Sequence, residues 1–183
     1  SEEERDLGST VIDFGGRTTA IATFMDGKLI YADSIPLGGH HVTTDIARIL
    51  STPIADAERL KAVEGSIMPI DTLATAPNQL KQAVNMGQSD NITLPGIGDM
   101  IEVGGKMIER NLLSAIIRPR IDEILEMLMR RMESAKMQCA AGNRFILTGG
   151  ASQLTGLNDF CGTSLGKTTT LALPNGVIGL SND

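Results

Sequence analysis

Hydrophobic and polar positions near the start of the chain follow the short rhythm of strands. Residues 1–8 are charged and read as a leader or linker. Ser9-Thr10-Val11-Ile12-Asp13 is a β-branched run that predicts a strand, ending at Phe14-Gly15-Gly16. Thr18–Met25 predicts a second strand, Asp26-Gly27 a hairpin turn, and Lys28–Ile35 a third strand closed by Pro36. The chain is therefore expected to open as a three-stranded antiparallel meander.

Helical spacing takes over after Gly38-Gly39. A helix is predicted from about His40 to Leu50. Ser51-Thr52-Pro53 predicts the start of the next, with Thr52 as N-cap and Pro53 in the first helical position, running to Glu64 and stopping at Gly65. Residues 66–104 carry several Pro and Gly and only short apolar pieces such as Ile92-Thr93-Leu94, which suggests short strands and loops. Residues 106–137 are the most helical stretch. Ile121, Ile124, Leu125, Leu128 and Met132 share one helical face. Pro119 lacks the N–H that a helix interior needs, so a break near Arg118 and two helices are expected. Arg144–Thr148 predicts a strand, Gly149-Gly150 a turn, Thr155-Gly156 a helix start and Thr168–Leu173 a last strand. The order predicts an α/β domain with a mixed sheet and an inserted helical subdomain.

Composition narrows the function. Hydrophobic residues make up 42% of 183, enough for a core, yet aromatics are only 3% and Trp is absent. Few aromatics argue against a stacking platform for single-stranded nucleic acid. A net charge of −6 without a basic stripe makes nucleic acid a poor partner in general. Cys139 and Cys161 are far apart and in no CxxC arrangement, which reads as two lone thiols. No apolar run approaches the ~18 residues of a membrane span, and the acidic start at Ser1-Glu2-Glu3-Glu4-Arg5 is unlike a secretory signal. The default compartment is the cytoplasm.

Three places could carry chemistry. The first is Asp13-Phe14-Gly15-Gly16-Arg17-Thr18-Thr19, where an acid ends a strand and glycines make the turn. Successive N–H groups of such a turn form an anion-binding concavity, Thr18 and Thr19 add hydroxyls, and Asp13 could hold Mg²⁺ through water. A tight hairpin with a capping Asp reads equally well. It is no P-loop, since GxxxxGK[ST] is absent. The second is Thr148-Gly149-Gly150-Ala151, a strand-to-helix turn that suits a nucleotide or is a plain βα connection. The third is Glu58 with Lys61, which share a helix face and could reach a ribose or form a solvated ion pair. Adjacent His40 and His41 suggest no metal site. Arg118, Arg120, Arg130 and Arg131 form either a basic patch or a solvated helix face.

In this order the pieces are more specific than any one alone. Val11–Thr19, Gly38-Gly39-His40-His41-Val42-Thr43-Thr44-Asp45-Ile46-Ala47, Ala57-Glu58-Arg59-Leu60-Lys61 and Ile146-Leu147-Thr148-Gly149-Gly150-Ala151-Ser152-Gln153-Leu154 resemble the second half of the actin/Hsp70/sugar-kinase superfamily. Within it, from about residue 9 to the end, the chain most resembles the bacterial FtsA cell-division family, and Leu113–Glu126 is similar to that family's "L..II..R..EI.E" helix.

The resemblance implies an actin-like (ribonuclease H-like) ATPase lobe. Residues 9–65 and 138–183 would form its core subdomain and 66–137 an outer one. Asp13, Gly15, Gly16, Arg17, Thr18 and Thr19 would form a phosphate hairpin for Mg-ATP. Glu58 and Lys61 would reach the ribose and adenine side, and Gly149 and Gly150 the adenosine. The outer subdomain would receive the C-terminal tail of the tubulin homologue FtsZ, with Arg118 and Arg120 as candidate contacts. The full protein would polymerise and tether FtsZ to the inner face of the membrane at midcell. The first lobe and a C-terminal membrane helix are not in this chain, so a piece of a longer protein is expected, one that binds Mg-ATP weakly without hydrolysing it. Three positions depart from the family: Arg17 replaces a usual third glycine, Ala20 a usual Asp, and Glu64 the Tyr that commonly precedes Gly65. A sugar-kinase lobe, a pilus-assembly scaffold and a domain that has lost nucleotide are the rival readings.

Overall fold

The computed structural model describes residues 8–67, 91–93, 107–137 and 142–172. Three strands, β1 (Ser9–Phe14), β2 (Thr19–Met25) and β3 (Lys28–Ile35), form the expected antiparallel meander. Asp26 (φ 49°) and Gly27 (φ 71°) supply the left-handed pair that a tight hairpin requires. Strand β6 (Arg144–Thr148) lies parallel to β1, with Asp13 opposite Thr148, and β7 (Thr168–Leu171) lies parallel to β6. The sheet order is β3-β2-β1-β6-β7. It is a mixed sheet, and β1 and β6, side by side at its centre, both end at glycine turns.

Helix α1 (Gly39–Leu50) buries Val42, Thr43, Ile46, Ala47 and Leu50, the stripe its 3.6-residue period creates. Helix α2 (Ile54–Glu64) packs beside it. Thr52 does not open α2. Its N–H bonds to the Ala47 carbonyl at 3.0 Å and closes α1, with Ser51 left-handed. Pro53 takes the N-cap place instead, with extended ψ (148°), and its carbonyl accepts from Ala57 N at 3.0 Å. Proline outside the first turn loses nothing, because its missing N–H would have had no helical partner.

The long helix α3 (Arg110–Ser134) runs through Pro119 without interruption, against the two helices expected. Ala115, whose carbonyl loses its donor, and Pro119 are both exposed, so that oxygen lies on the water side of the helix. Ile116 and Ile117 before the proline and Ile121, Ile124, Leu125 and Leu128 after it are buried in one core. Each buried Leu or Ile contributes about 1.5–3 kcal/mol, so together they outweigh a proline penalty of about 3 kcal/mol. That core is the one formed with Ile12, Phe14, Ile46 and Leu147, and α3 touches α1 and β3. Residues 110–134, expected in an outer subdomain, therefore pack in the core layer. Most of 66–106 lies outside the described residues; β4 (Asn91–Thr93) and β5 (Met107–Glu109) pair there as a two-stranded sheet. A 3-10 turn (Gly150–Gln153) and helix α4 (Leu157–Leu165) follow β6, and β7 ends at Leu171 rather than Leu173.

Candidate functional site

The glycine turn after β1 is built against the start of α1. Gly39 N and His40 N donate to the carbonyls of Gly15 (2.9 Å) and Gly16 (2.6 Å). Gly38 N donates to Nδ1 of His41 at 3.1 Å, so the imidazole caps its own helix. The two segments touch backbone to backbone: a Cβ at Gly38 would lie 2.5 Å from the Gly15 oxygen. The first donors of α1 are thus spent inside the protein. Those of Gly16, Arg17 and Thr18 make no hydrogen bond with the described residues, and all three residues are exposed. They are the donors that the turn presents to solvent. Thr19 is not: it is buried, and its hydroxyl donates to the Leu37 carbonyl at 2.8 Å.

Of the Glu58–Lys61 pair only the lysine is withdrawn from solvent. The Lys61 side chain is 10% exposed and that of Glu58 53%. Lys61 Nζ donates to Gly39 O (3.1 Å), Thr43 Oγ1 (2.9 Å) and Glu58 Oε2 (2.8 Å). The Thr43 hydroxyl also bonds to Glu58 Oε2. Burial pushes the Glu58 carboxyl up, but the bonds from Lys61 and Thr43 and the charges of Lys61 and His40 hold it below the ordinary carboxylate value. Thr43 was not singled out from the sequence. Its place four residues after Gly39 on one face was the available signal.

The turn after β6 sets two glycines to different tasks. Gly149 has φ 88° and ψ 162°, and a Cβ there would press on Asp13 Oδ1 and stand 2.5 Å from Phe14 O. Gly150 faces open space. Asp13 is exposed at the end of β1, beside Gly149. Among the described residues no group of three or more His, Cys, Asp or Glu could hold a metal ion.

Gly15, Gly16, Glu58, Lys61 and Gly150 line one cavity of about 270 Å³, with Gly39, Ala151 and Gln153. Residues from four separate stretches of sequence thus meet where β1 and β6 end, the place where α/β sheets bind ligands. Asp13, Arg17, Thr18 and Gly149 border that wall without lining it. A larger, more open groove of about 440 Å³ runs between α1 and α3, past Ile49, Leu112 and Arg120. Asp45, Arg48, Arg120 and Glu123 are its charged lining, and three of these four are engaged with one another. Arg120 forms a two-pronged pair with Asp45 (2.7 and 3.1 Å) and bonds to Glu123. Arg118 stacks over the Phe160 ring at 5.1 Å and stands 4.0 Å from Asp122. The two arginines expected to meet a partner thus have partners within the chain. No helix of the described residues is long and apolar enough to cross a membrane.

The profile of the family described as Cell division protein FtsA matches residues 10–182. The Cell division protein FtsA of Rhizobium meliloti is 42% identical over 179 residues, covering 98% of this chain and 37% of that protein. The chain therefore spans little more than a third of its relative. Among solved structures, MreB5 of Spiroplasma citri bound to AMPPNP superposes with a TM-score of 0.65 at 17% identity, covering 91% of this chain and 48% of that one. The PilM-PilN type IV pilus biogenesis complex gives 0.63 at 20% identity, covering 93% and 37%. These likenesses show the actin-like fold.

Proposed function

Because the chain belongs to the FtsA cell-division family, we propose that it is the second ATP-binding lobe of an actin-like division adaptor. The observation that carries this reading is the single cavity in which the Gly15-Gly16 turn, the Glu58–Lys61 pair and the Gly150 turn meet. Its volume lies just below the roughly 300–1,000 Å³ of small-molecule sites, as suits one wall of a cleft completed by another lobe. The residues fit a nucleotide. The N–H groups of Gly16, Arg17 and Thr18 meet phosphate oxygens, and the Arg17 side chain is exposed beside them. Asp13 holds Mg²⁺ through its water shell. Gly150 leaves room for the adenosine. MreB5, of the same fold, is described as bound to AMPPNP, which supports the ligand class. A pilus-type scaffold is not favoured, since that likeness is one of fold alone.

In the full protein this lobe closes on a first lobe, polymerises, and links the FtsZ tail to the inner face of the membrane at midcell through a separate amphipathic helix. Equilibrium titration of the full-length protein with a fluorescent ATP analogue, with and without Mg²⁺, tests the site. Saturable, Mg-dependent binding weakened at least tenfold by Asp13→Lys is expected; no binding at millimolar nucleotide overturns the reading. Calorimetric titration with the FtsZ C-terminal peptide tests the adaptor role. Heat of saturable binding supports it and its absence removes it.

A further inference from the structure

A helix is well started when the N-cap side chain takes one of the free N–H groups and the third helical residue returns a bond to the N-cap N–H. At the start of α1 only the second half is possible. The N-cap is Gly38, and a Cβ there would stand 2.5 Å from the Gly15 oxygen, so no capping side chain fits. The returned bond comes from His41, whose Nδ1 accepts from Gly38 N at 3.1 Å, in the position where Glu or Gln is usual. We infer that His41 is a positioning residue with a pH-sensitive hold: its neutral imidazole fastens the start of α1 behind the Gly15-Gly16 turn, and protonation releases it. The hold itself stands on this geometry, and its effect on a ligand rests on the proposed nucleotide site.

A backbone N–H only donates, so Nδ1 of His41 carries a lone pair and the neutral ring has its hydrogen on Nε2. A proton added to the ring goes to Nδ1, and two N–H groups then face each other across the same 3.1 Å. Glutamine in this place would accept at any pH, whereas histidine changes charge between pH 5 and 8. The bond belongs to a small network. Gly39 N and His40 N donate to the Gly15 and Gly16 carbonyls, and His41 N donates to the Gly38 carbonyl. The imidazole therefore holds the segment on which the turn rests. The ionisable groups that this end of α1 meets are His40, whose ring is 6.4 Å from that of His41, Asp45 one turn further on, Glu58 of α2 and Arg17 of the turn. Both carboxylates are engaged, Asp45 with Arg120 and Glu58 with Lys61, so neither is reserved for an imidazolium.

Mg-ATP affinity of the full-length protein is measured from pH 5.5 to 8 for wild type and for His41→Gln, which keeps an acceptor that does not titrate. The ratio of wild-type to variant Kd cancels the titration of the nucleotide and of every group common to both proteins. It is expected to rise about tenfold as the pH falls, the loss of one hydrogen bond with its donor left unpaired. A ratio independent of pH overturns the inference. If His41→Gln does not fold, His41→Asn takes its place. If wild type binds no Mg-ATP, the nucleotide reading fails by itself. The hold is then decided by ¹⁵N NMR of the full-length protein, with the ring assigned from the same variant. A bare Nδ1 at pH 8, together with a Gly38 amide signal that moves as the His41 ring titrates, supports it. A hydrogen on Nδ1 at pH 8, or a Gly38 amide that stays still through the titration, overturns it.

Discussion

Gly149 and Gly150 are neighbours in one turn, yet alanine at each should have opposite effects. At Gly149 the backbone lies at φ 88°, ψ 162°, a region open almost only to glycine, where a side chain costs about 1–3 kcal/mol. The new methyl would also sit 2.5 Å from Phe14 O and 2.6 Å from Phe14 C, on the backbone of the central strand β1. Relief requires the β1–β6 pair to separate, and overpacking of this kind costs a further ~1–3 kcal/mol. The sum is about 2–6 kcal/mol, against a total stability of about 5–15 kcal/mol for a protein of ordinary size. At Gly150 nothing lies within 4 Å of an added Cβ, and φ is not positive. Alanine there should leave stability within about 0.5 kcal/mol or raise it slightly by restricting the unfolded chain. Its methyl would instead stand on the wall of the cavity and weaken nucleotide binding. Urea unfolding midpoints of the two variants, with the slope checked for constancy, give the first comparison, and ATP titration the second. If Gly149→Ala unfolds within 0.5 kcal/mol of wild type, or Gly150→Ala proves the less stable, the division of labour argued here is refuted.

Pro119→Ala should stabilise the protein by about 1–2 kcal/mol, since a helical hydrogen bond is restored on an exposed face while the unfolded chain gains some freedom; thermal unfolding measures it. Asp45→Asn and Arg120→Gln, measured singly and together, should show a coupling of about 1–3 kcal/mol, because the pair is two-pronged and its side chains are 15% and 25% exposed. Glu58 has a carboxyl held below its ordinary value of 4.5, so its contribution to stability is present above about that pH and is lost as pH falls through the folded value. Glu58→Gln should therefore flatten the acid limb of stability against pH, read by unfolding at stepped pH. Cys161 is buried, with its thiol pushed up to about 12, so in a Cys139→Ser background iodoacetamide at pH 8 should label it only as fast as the protein unfolds. Labelling that saturates without denaturant would show a thiol more open than the structure has it.

The sequence by itself determined the local elements, because their causes are local. Asp26-Gly27 dictates a hairpin wherever it falls between strands, and the spacing of Val42, Ile46 and Leu50 makes α1 amphipathic before anything packs on it. The glycines of the site were legible for the same reason. Tertiary structure alone decided the rest. Pro119 breaks a helix in isolation, and only the shared burial of Ile117, Ile121 and Ile124 in one core keeps α3 whole. Thr19 and Thr18 look alike as hydroxyls in a turn, and burial against Leu37 removes one of them from the site. Arg120 reads as a surface cation until a carboxylate 75 residues away is folded against it. Glu58 and Lys61 are a helix-surface pair by spacing, and the lysine becomes a buried, fully bonded member of it only when Thr43 and the Gly39 carbonyl close around the ammonium. Periodicity and turn chemistry act over a few residues, whereas the partner that satisfies or spends a polar group is chosen by the packing of segments far apart in the chain.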